Sequence, residues 1–135
     1  MEDKQSRYKM LKELFTLRGD VVITGAAGLM GQSHAEAVLE AGGNVILIDI
    51  NKSKLEKISR EFHEIYQDKV SFFVCDITNE KDVFEVASSI SSESRKIIGL
   101  INNAAINPVV NQKGLENDGS IENFDLNVWD LELNV

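Results

Sequence analysis

Gly25, Gly28 and Gly31 fall three residues apart in the stretch Val-Val-Ile-Thr-Gly-Ala-Ala-Gly-Leu-Met-Gly at residues 21–31. β-prone residues run straight into this turn, and a helical pattern follows at once. That order suits the pyrophosphate of a nucleotide. A parallel strand delivers the chain to the carboxyl edge of a sheet, and a turn without side chains lets the backbone come close to phosphate. The helix that follows aims free N–H groups and the positive end of its dipole at the anion. In such a site Gly25 supplies the tight turn, Gly28 the close approach and Gly31 the near contact between helix and strand. The spacing is Gly-x-x-Gly-x-x-Gly, not the Gly-x-Gly-x-x-Gly of the standard dinucleotide fingerprint, so a glycine-rich turn without a ligand is the plain alternative.

Three further features follow apolar runs. Asp49 comes after Val45-Ile-Leu-Ile48, 18 positions beyond Gly31, near the ~20 expected of a carboxylate that accepts from ribose hydroxyls. Its charge would repel a 2′-phosphate and no arginine stands beside it, which favours NAD over NADP. Asp76 follows Phe72-Phe-Val-Cys75, where a carboxylate could accept from an adenine amino group. Asn102-Asn103-Ala104-Ala105 follows the run Ile97 to Ile101. Singly, an Asp after a strand is usually a turn or helix cap, and a pair of asparagines is often only loop. Placed together at one edge of one sheet, they point to a nucleotide site.

The elements that would place them read as follows. Residues 1–19 are polar around an apolar cluster of Met10, Leu11, Leu14, Phe15 and Leu17. They predict a short helix or lead-in packed on the sheet edge and closed by Arg18-Gly19. A strand at 20–24 precedes a helix from Met30 to Ala41, with Ala35, Val38 and Leu39 inward and Gly42-Gly43 as its stop signal. Asn44 to Ile50 is a second strand, apolar without alternation, as expected of a sheet covered on both faces. Asn51 caps a helix whose apolar stripe is Leu55, Ile58, Phe62 and Ile65. Lys69 to Cys75 is the third strand, and Asn79 caps a helix with Val83, Val86, Ala87 and Ile90 inward. After the fourth strand, Ile97 to Ile101, come a polar loop through Pro108, Gly114 and Gly119 and a last helix from near Ile121. Strand–helix units at this spacing, joined by right-handed crossovers, predict an α/β fold: a Rossmann-type doubly wound parallel sheet with strand order 3-2-1-4. Its crevice lies above the first and fourth strands. Residues 1–18 then form the lead-in and 19–135 the nucleotide-binding domain.

These residues resemble the short-chain dehydrogenase/reductases. The likeness runs from about Phe15 to Val135 but covers only the amino-terminal half of that family's domain. Gly25, Ala27, Gly28, Leu29, Met30 and Gly31 are similar to its cofactor turn, and Asp49 with Ile50 to its NAD-selecting acid. Asp76 and Ile77 resemble its adenine contact. Asn102-Asn103-Ala104-Ala105 resembles its Asn-Asn-Ala-Gly, with Asn103 and Ala104 at the cofactor. Two departures stand out. The middle glycine is one place early for the commoner branch and matches the extended, epimerase-like branch, and Ala105 replaces a glycine. The doubled asparagine and the Trp129 helix favour the commoner branch. The stretches 17–31 and 124–135 are also similar to oxidoreductases encoded with bacterial flagellin-glycan genes. The resemblance implies a parent oxidoreductase that transfers hydride between NAD(H) and an alcohol or carbonyl carbon, with a sugar derivative as one substrate class. It also implies that the chain is truncated after the fourth strand and the start of the next helix. Two alternatives stand beside it: half of an NAD-dependent epimerase or dehydratase, or a nucleotide-binding module that is not an enzyme.

The family's catalysis uses a tyrosine as general acid/base, a lysine four residues on, a serine that polarises the substrate and a helix asparagine that anchors a relay water. Tyr8 and Tyr66 are the only tyrosines. Tyr8 has Lys12 four residues on but precedes the first strand, whereas the family's pair follows the fifth, so a charged lead-in helix accounts for it. Asn134 follows Trp129 by five positions, ~140° round a helix, where the family's spacing of seven puts both on one face. No catalytic residue is assigned, and this chain alone is expected to be inactive.

The composition agrees with such a reading. A chain of 135 residues, 43% hydrophobic and 27% charged with one proline, fits a single soluble globular domain. The net charge of −8 argues against nucleic-acid or anionic-membrane partners, which need a basic patch. Cys75, the only cysteine, reads as a buried structural thiol in a reducing compartment. The N-terminus has no apolar signal core, and no apolar run reaches the ~18 residues of a membrane span, so a cytoplasmic location is expected. His34 and His63 have no partners at metal spacing. The unpaired edge of the fourth strand and the stripe Phe124, Val128, Leu131 and Val135 predict self-association.

Overall fold

The computed structural model describes residues 2–93, 95–106, 110–111, 114–115 and 126–135. Its centre is the strand with no polar side. Val45, Ile46 and Leu47 of β2 (Asn44–Asp49) are fully buried and Ile48 nearly so, so both faces of this strand must be covered. β2 pairs in parallel with β1 (Asp20–Thr24) on one side and β3 (Val70–Val74) on the other, and β1 pairs in parallel with β4 (Ile97–Ile101). The order is β3-β2-β1-β4, as the pattern predicts.

Side chains alternate across the sheet. Val21, Ile23, Val45 and Leu47 face Ala35, Val38 and Leu39 of α2 (Leu29–Glu40) and Leu55 and Ile58 of α3 (Lys52–Tyr66). Ile46 and Ile48 face Ile90 of α4 (Glu80–Ser92), with Cys75 in the same cluster. The caps fall where the sequence puts them. Asn51 accepts from the Lys54 N–H at 3.1 Å, and Asn79 from the Lys81 N–H at 3.1 Å. At the opposite edge from these caps, Asp20 is buried and needs a partner. Arg95 lies 3.7 Å from its carboxylate, while also pairing with Glu93 at 2.8 Å and donating to the Ser71 hydroxyl at 2.6 Å.

Four expectations change. In α3 the stripe runs on through Ser59 and Tyr66, and Ile65 is 70% exposed; it flanks the stripe where the sheet no longer lies beneath the helix. In α4 only Ile90 is buried and Val86 partly packed, while Val83 and Ala87 are exposed. That helix meets the sheet along one narrow line, and these two residues stand roughly 60–100° round from Val86. In the lead-in, α1 (Glu2–Leu14) leaves Met10 and Leu14 exposed, and Phe15 after it is exposed too. Leu17 joins the core, its N–H donating to the Ala41 carbonyl at 2.9 Å, and the Leu11 side chain lies outside the described residues. Within the expected loop, β5 (Val110–Asn111) and β6 (Gly114–Leu115) pair antiparallel. Pro108 and Gly119 lie outside the described residues, as do Ile121 and Phe124 ahead of α5 (Leu126–Asn134).

The chain divides into two compact units, Met1–Asn103 and Ala104–Val135. The first holds α1 to α4 and the parallel sheet; the second holds β5, β6 and α5. Among the described residues no strand pairs with the outer edge of β4.

The two α3 positions separate core from flank. Leu55→Ala should destabilise the fold by about 2–5 kcal/mol, because it empties a fully buried site. Ile65→Ala should stay within roughly 0.5–1 kcal/mol. Urea unfolding of both variants checks the contrast.

Candidate functional site

Four parallel strands end at one edge, so Thr24, Asp49, Cys75-Asp76 and Ile101-Asn102 are delivered to the same side of the sheet. The turn after β1 is bound there backbone to backbone. Gly25 has φ +62°, a left-handed conformation that favours glycine. The Ala26 N–H donates to the Ile48 carbonyl at 3.1 Å and the Gly28 N–H to the Gly25 carbonyl at 3.1 Å. Gly28 is exposed, in extended conformation, and serves as the N-cap of α2 without a side chain. A Cβ on Gly31 would overlap the Gly25 carbonyl oxygen and stand 2.7 Å from Ala26 Cα. The near contact expected of Gly31 is therefore with the turn itself rather than with the strand.

The polar groups of this turn are sorted by sign. The first bond of α2 runs from the Gln32 N–H to the Gly28 carbonyl at 3.1 Å. Among the described residues, no acceptor takes the N–H groups of Leu29, Met30 and Gly31. The carbonyls of Thr24, Gly25, Ala27 and Gly28 are covered. The Asn103 amide donates to the Thr24 and Gly25 oxygens at 3.1 Å each, and the Gln32 amide to those of Ala27 at 3.4 Å and Gly28 at 3.2 Å. Three donors thus lack an acceptor among the described residues, in a turn where four carbonyls are held by side-chain amides. That is an anion site in form. Sequence reasoning missed Gln32; its only signal was its place directly after Gly31.

Asp49 is half-buried. Its Oδ2 accepts from the Ala27 N–H and its Oδ1 from the Asn51 N–H, both at 2.9 Å. Asp76 Oδ1 accepts from the Thr78 hydroxyl at 2.7 Å and from the Thr78 N–H at 2.9 Å. The hydroxyl, then the N–H, hold this carboxyl below its ordinary range. Asn103 is tied to β1 a third time, its N–H donating to Thr24 Oγ1 at 3.1 Å. Leu29, Met30 and Ile50 are exposed at 85%, 65% and 67%, so three apolar side chains border the turn and Asp49. Ile77 instead packs inward against the cluster around Ile46. Asn102 and Ala105 are exposed; Ala104 is half-buried and begins the second unit.

The remaining candidates stand elsewhere. Tyr8 and Lys12 are on α1, and Asn134 ends α5. Tyr66 closes α3, edge-on to Phe62, with its phenol pushed up by burial and by Glu40 and Glu36. A general base needs the opposite shift. Cys75 is buried, and burial followed by Asp82 and Asp76 raises its thiol pKa; this makes it a poor nucleophile. Among the described residues no group of three or more His, Cys, Asp or Glu could hold a metal ion, and no helix is long and apolar enough to cross a membrane.

Comparison with known proteins gives one family. A model described as short chain dehydrogenase matches residues 20–134. The short chain dehydrogenase/reductase dpfgG of Gibberella zeae is 39% identical over 95 residues, 70% of this chain and 34% of its own. The structure of the short chain dehydrogenase from Shigella flexneri superposes with a TM-score of 0.75 at 19% identity, over 90% of this chain and 45% of that one. A short chain dehydrogenase from Escherichia coli complexed with NADPH gives 0.74 at 21% identity, over 90% and 48%. The chain thus spans about a third of the first protein's length and under half of the other two.

The Asp76 turn supplies a pH test. Thr78→Val removes the hydroxyl donor, so the Asp76 carboxyl should titrate nearer its ordinary value, which carbon-detected NMR would read. Because the folded value is the depressed one, the stability that Thr78 confers is present above the ordinary carboxylate range. It is lost as pH falls through the folded value. Urea unfolding of Thr78→Val should therefore differ from the unaltered protein at neutral pH and converge with it in acid.

Proposed function

The chain belongs to the short-chain dehydrogenase family, and we propose that it carries the cofactor half of an NAD-dependent oxidoreductase. In this reading the N–H groups of Leu29, Met30 and Gly31 hold the pyrophosphate, with Gly25, Ala27 and Gly28 shaping the turn. Asp49 takes the adenine ribose hydroxyls beside Ile50, and Asp76 borders the adenine while Ile77 next to it packs into the core. Asn103 flanks the crevice between β1 and β4, with Ala104 next to it in sequence. The observation that carries this is the sorting of the turn: three successive backbone donors without an acceptor among the described residues, the Thr24, Gly25, Ala27 and Gly28 carbonyls held by side-chain amides, and a carboxylate bonded to the turn itself. Those residues suit a dinucleotide, whose nicotinamide supplies hydride chemistry when bound.

The intact protein would transfer hydride between NAD(H) and an alcohol or carbonyl carbon, a sugar derivative among the substrates to test. Self-association through the open edge of β4 belongs to the same proposal. The Escherichia coli neighbour holds NADPH, but the choice of nucleotide here rests on Asp49. A 2′-phosphate would meet the charge of that carboxylate, and the repulsion is not offset by any arginine next to it in sequence.

Calorimetry with the two cofactors tests the reading. NAD should bind more tightly than NADP by about tenfold or more, and tighter binding of NADP would remove Asp49 from the site. Turnover gives a second check. Residues 1–135 alone should give no detectable hydride transfer across a panel of alcohols and ketones, because Tyr8 and Tyr66 lie on α1 and α3, away from the crevice. A turnover that Tyr8→Phe or Tyr66→Phe abolishes would overturn that assignment.

A further inference from the structure

The glycine turn meets β2 at two neighbouring points, and one of them is a side chain. The Ala26 N–H reaches a backbone carbonyl, that of Ile48, at 3.1 Å. The Ala27 N–H reaches Asp49 Oδ2 at 2.9 Å, across 22 residues of sequence. The other oxygen of the same carboxylate accepts from the Asn51 N–H at 2.9 Å, directly before α3. Asp49 therefore links the turn after β1 to the entry of α3, and both of its partners are donors. Only a group that accepts on two atoms satisfies this pair. An asparagine would set its own NH2 against one of the two N–H groups, and a serine has one short hydroxyl.

We propose that Asp49 is a positioning residue for the glycine turn as well as the acid that faces the ribose. Its carboxylate holds Ala27, and so holds the turn in the shape that presents the Leu29, Met30 and Gly31 N–H groups to an anion. The identity of that anion rests on the cofactor reading above; the hold on the turn does not. A carboxylate oxygen has room for more than one donor, so ribose hydroxyls join bonds that already exist. It follows that cofactor selectivity and turn order are not separable at this position. A replacement chosen to admit a 2′-phosphate also loosens the turn that would bind the pyrophosphate.

The test uses Asp49→Ala, which removes both acceptors, with Asp49→Glu as the second variant should the first fail to fold. Amide hydrogen exchange is followed at Ala27 and Asn51, with Ile23 and Leu47 as core references. Exchange at Ala27 and Asn51 should quicken by about tenfold or more while the references keep their protection, as expected for loss of a bond to a charged acceptor. Binding is measured in parallel with ADP and with 2′,3′-dideoxyadenosine 5′-diphosphate, which keeps the pyrophosphate but lacks both hydroxyls. The variant should weaken the dideoxy compound by about tenfold or more as well. Unchanged exchange at Ala27 would overturn the proposal. So would a variant that weakens ADP and leaves the dideoxy compound untouched, since the carboxylate would then act on the hydroxyls alone. Should the unaltered chain bind neither nucleotide, the cofactor reading fails, and exchange at Ala27 still decides the positioning role.

Discussion

The burial of β2 on both faces is the constraint from which the rest follows. A strand with four consecutive apolar residues cannot sit at a solvated surface, and its neighbours must supply cover above and below. Helices can do so only by crossing over between parallel strands, α2 and α3 on one face and α4 on the other. Parallel strands in turn end on the same side. The gathering of a glycine turn, two aspartates and an asparagine at one edge is thus a consequence of core packing. The site costs the fold little extra organisation, because the sheet has already aligned its parts.

What the site adds is control over backbone polarity. Any tight turn exposes both carbonyls and N–H groups, and an anion is attracted to one set and repelled by the other. Here Asn103 reaches from the end of β4 and Gln32 from the first turn of α2, each giving one amide to two carbonyls. Gly25 and Gly31 allow the turn to fold tightly enough for those amides to reach. A Cβ at Gly31 would push α2 off the turn, and with it both Gln32 and the three open N–H groups. The glycines and the amides depend on each other.

The large elements were legible because they rest on local patterns. Apolar runs marked β1 to β4, and Asn51 and Asn79 announced their helices. Strand order followed from crossover handedness. The misses share a cause. A helical period says which residues form a stripe but not where the sheet beneath it ends, so Ile65, Val83 and Ala87 were placed inward and lie exposed. In the lead-in, Met10, Leu14 and Phe15 are apolar yet exposed, and Leu17 packs on the core. Within the site, the residues were visible as types at the right places, but their bonds were not. Asp49 to Ala27 spans 22 residues and Asn103 to Thr24 spans 79. Gln32 had no pattern at all, since a glutamine in a first helical turn is ordinary.

On the proposed cofactor reading, this acidic chain must overcome its own field. The net charge of −8 repels an approaching pyrophosphate over long range, and Asp49 and Asp76 stand at the very edge where it would land. Range decides the balance. Charges more than a Debye length away, ~8 Å at physiological ionic strength, are largely screened, whereas N–H groups in contact with phosphate act at full strength. Asp49 and Asp76 are also partly neutralised in effect, because each carboxylate already accepts two hydrogen bonds from its own chain. Those bonds point each carboxylate at a fixed place and lower its repulsion of the pyrophosphate next to it. They do not lower the repulsion between Asp49 and a phosphate set directly against it, which is where the proposed reading puts a 2′-phosphate. On the proposed cofactor reading, Asp49 can therefore stand near the pyrophosphate and still repel a 2′-phosphate.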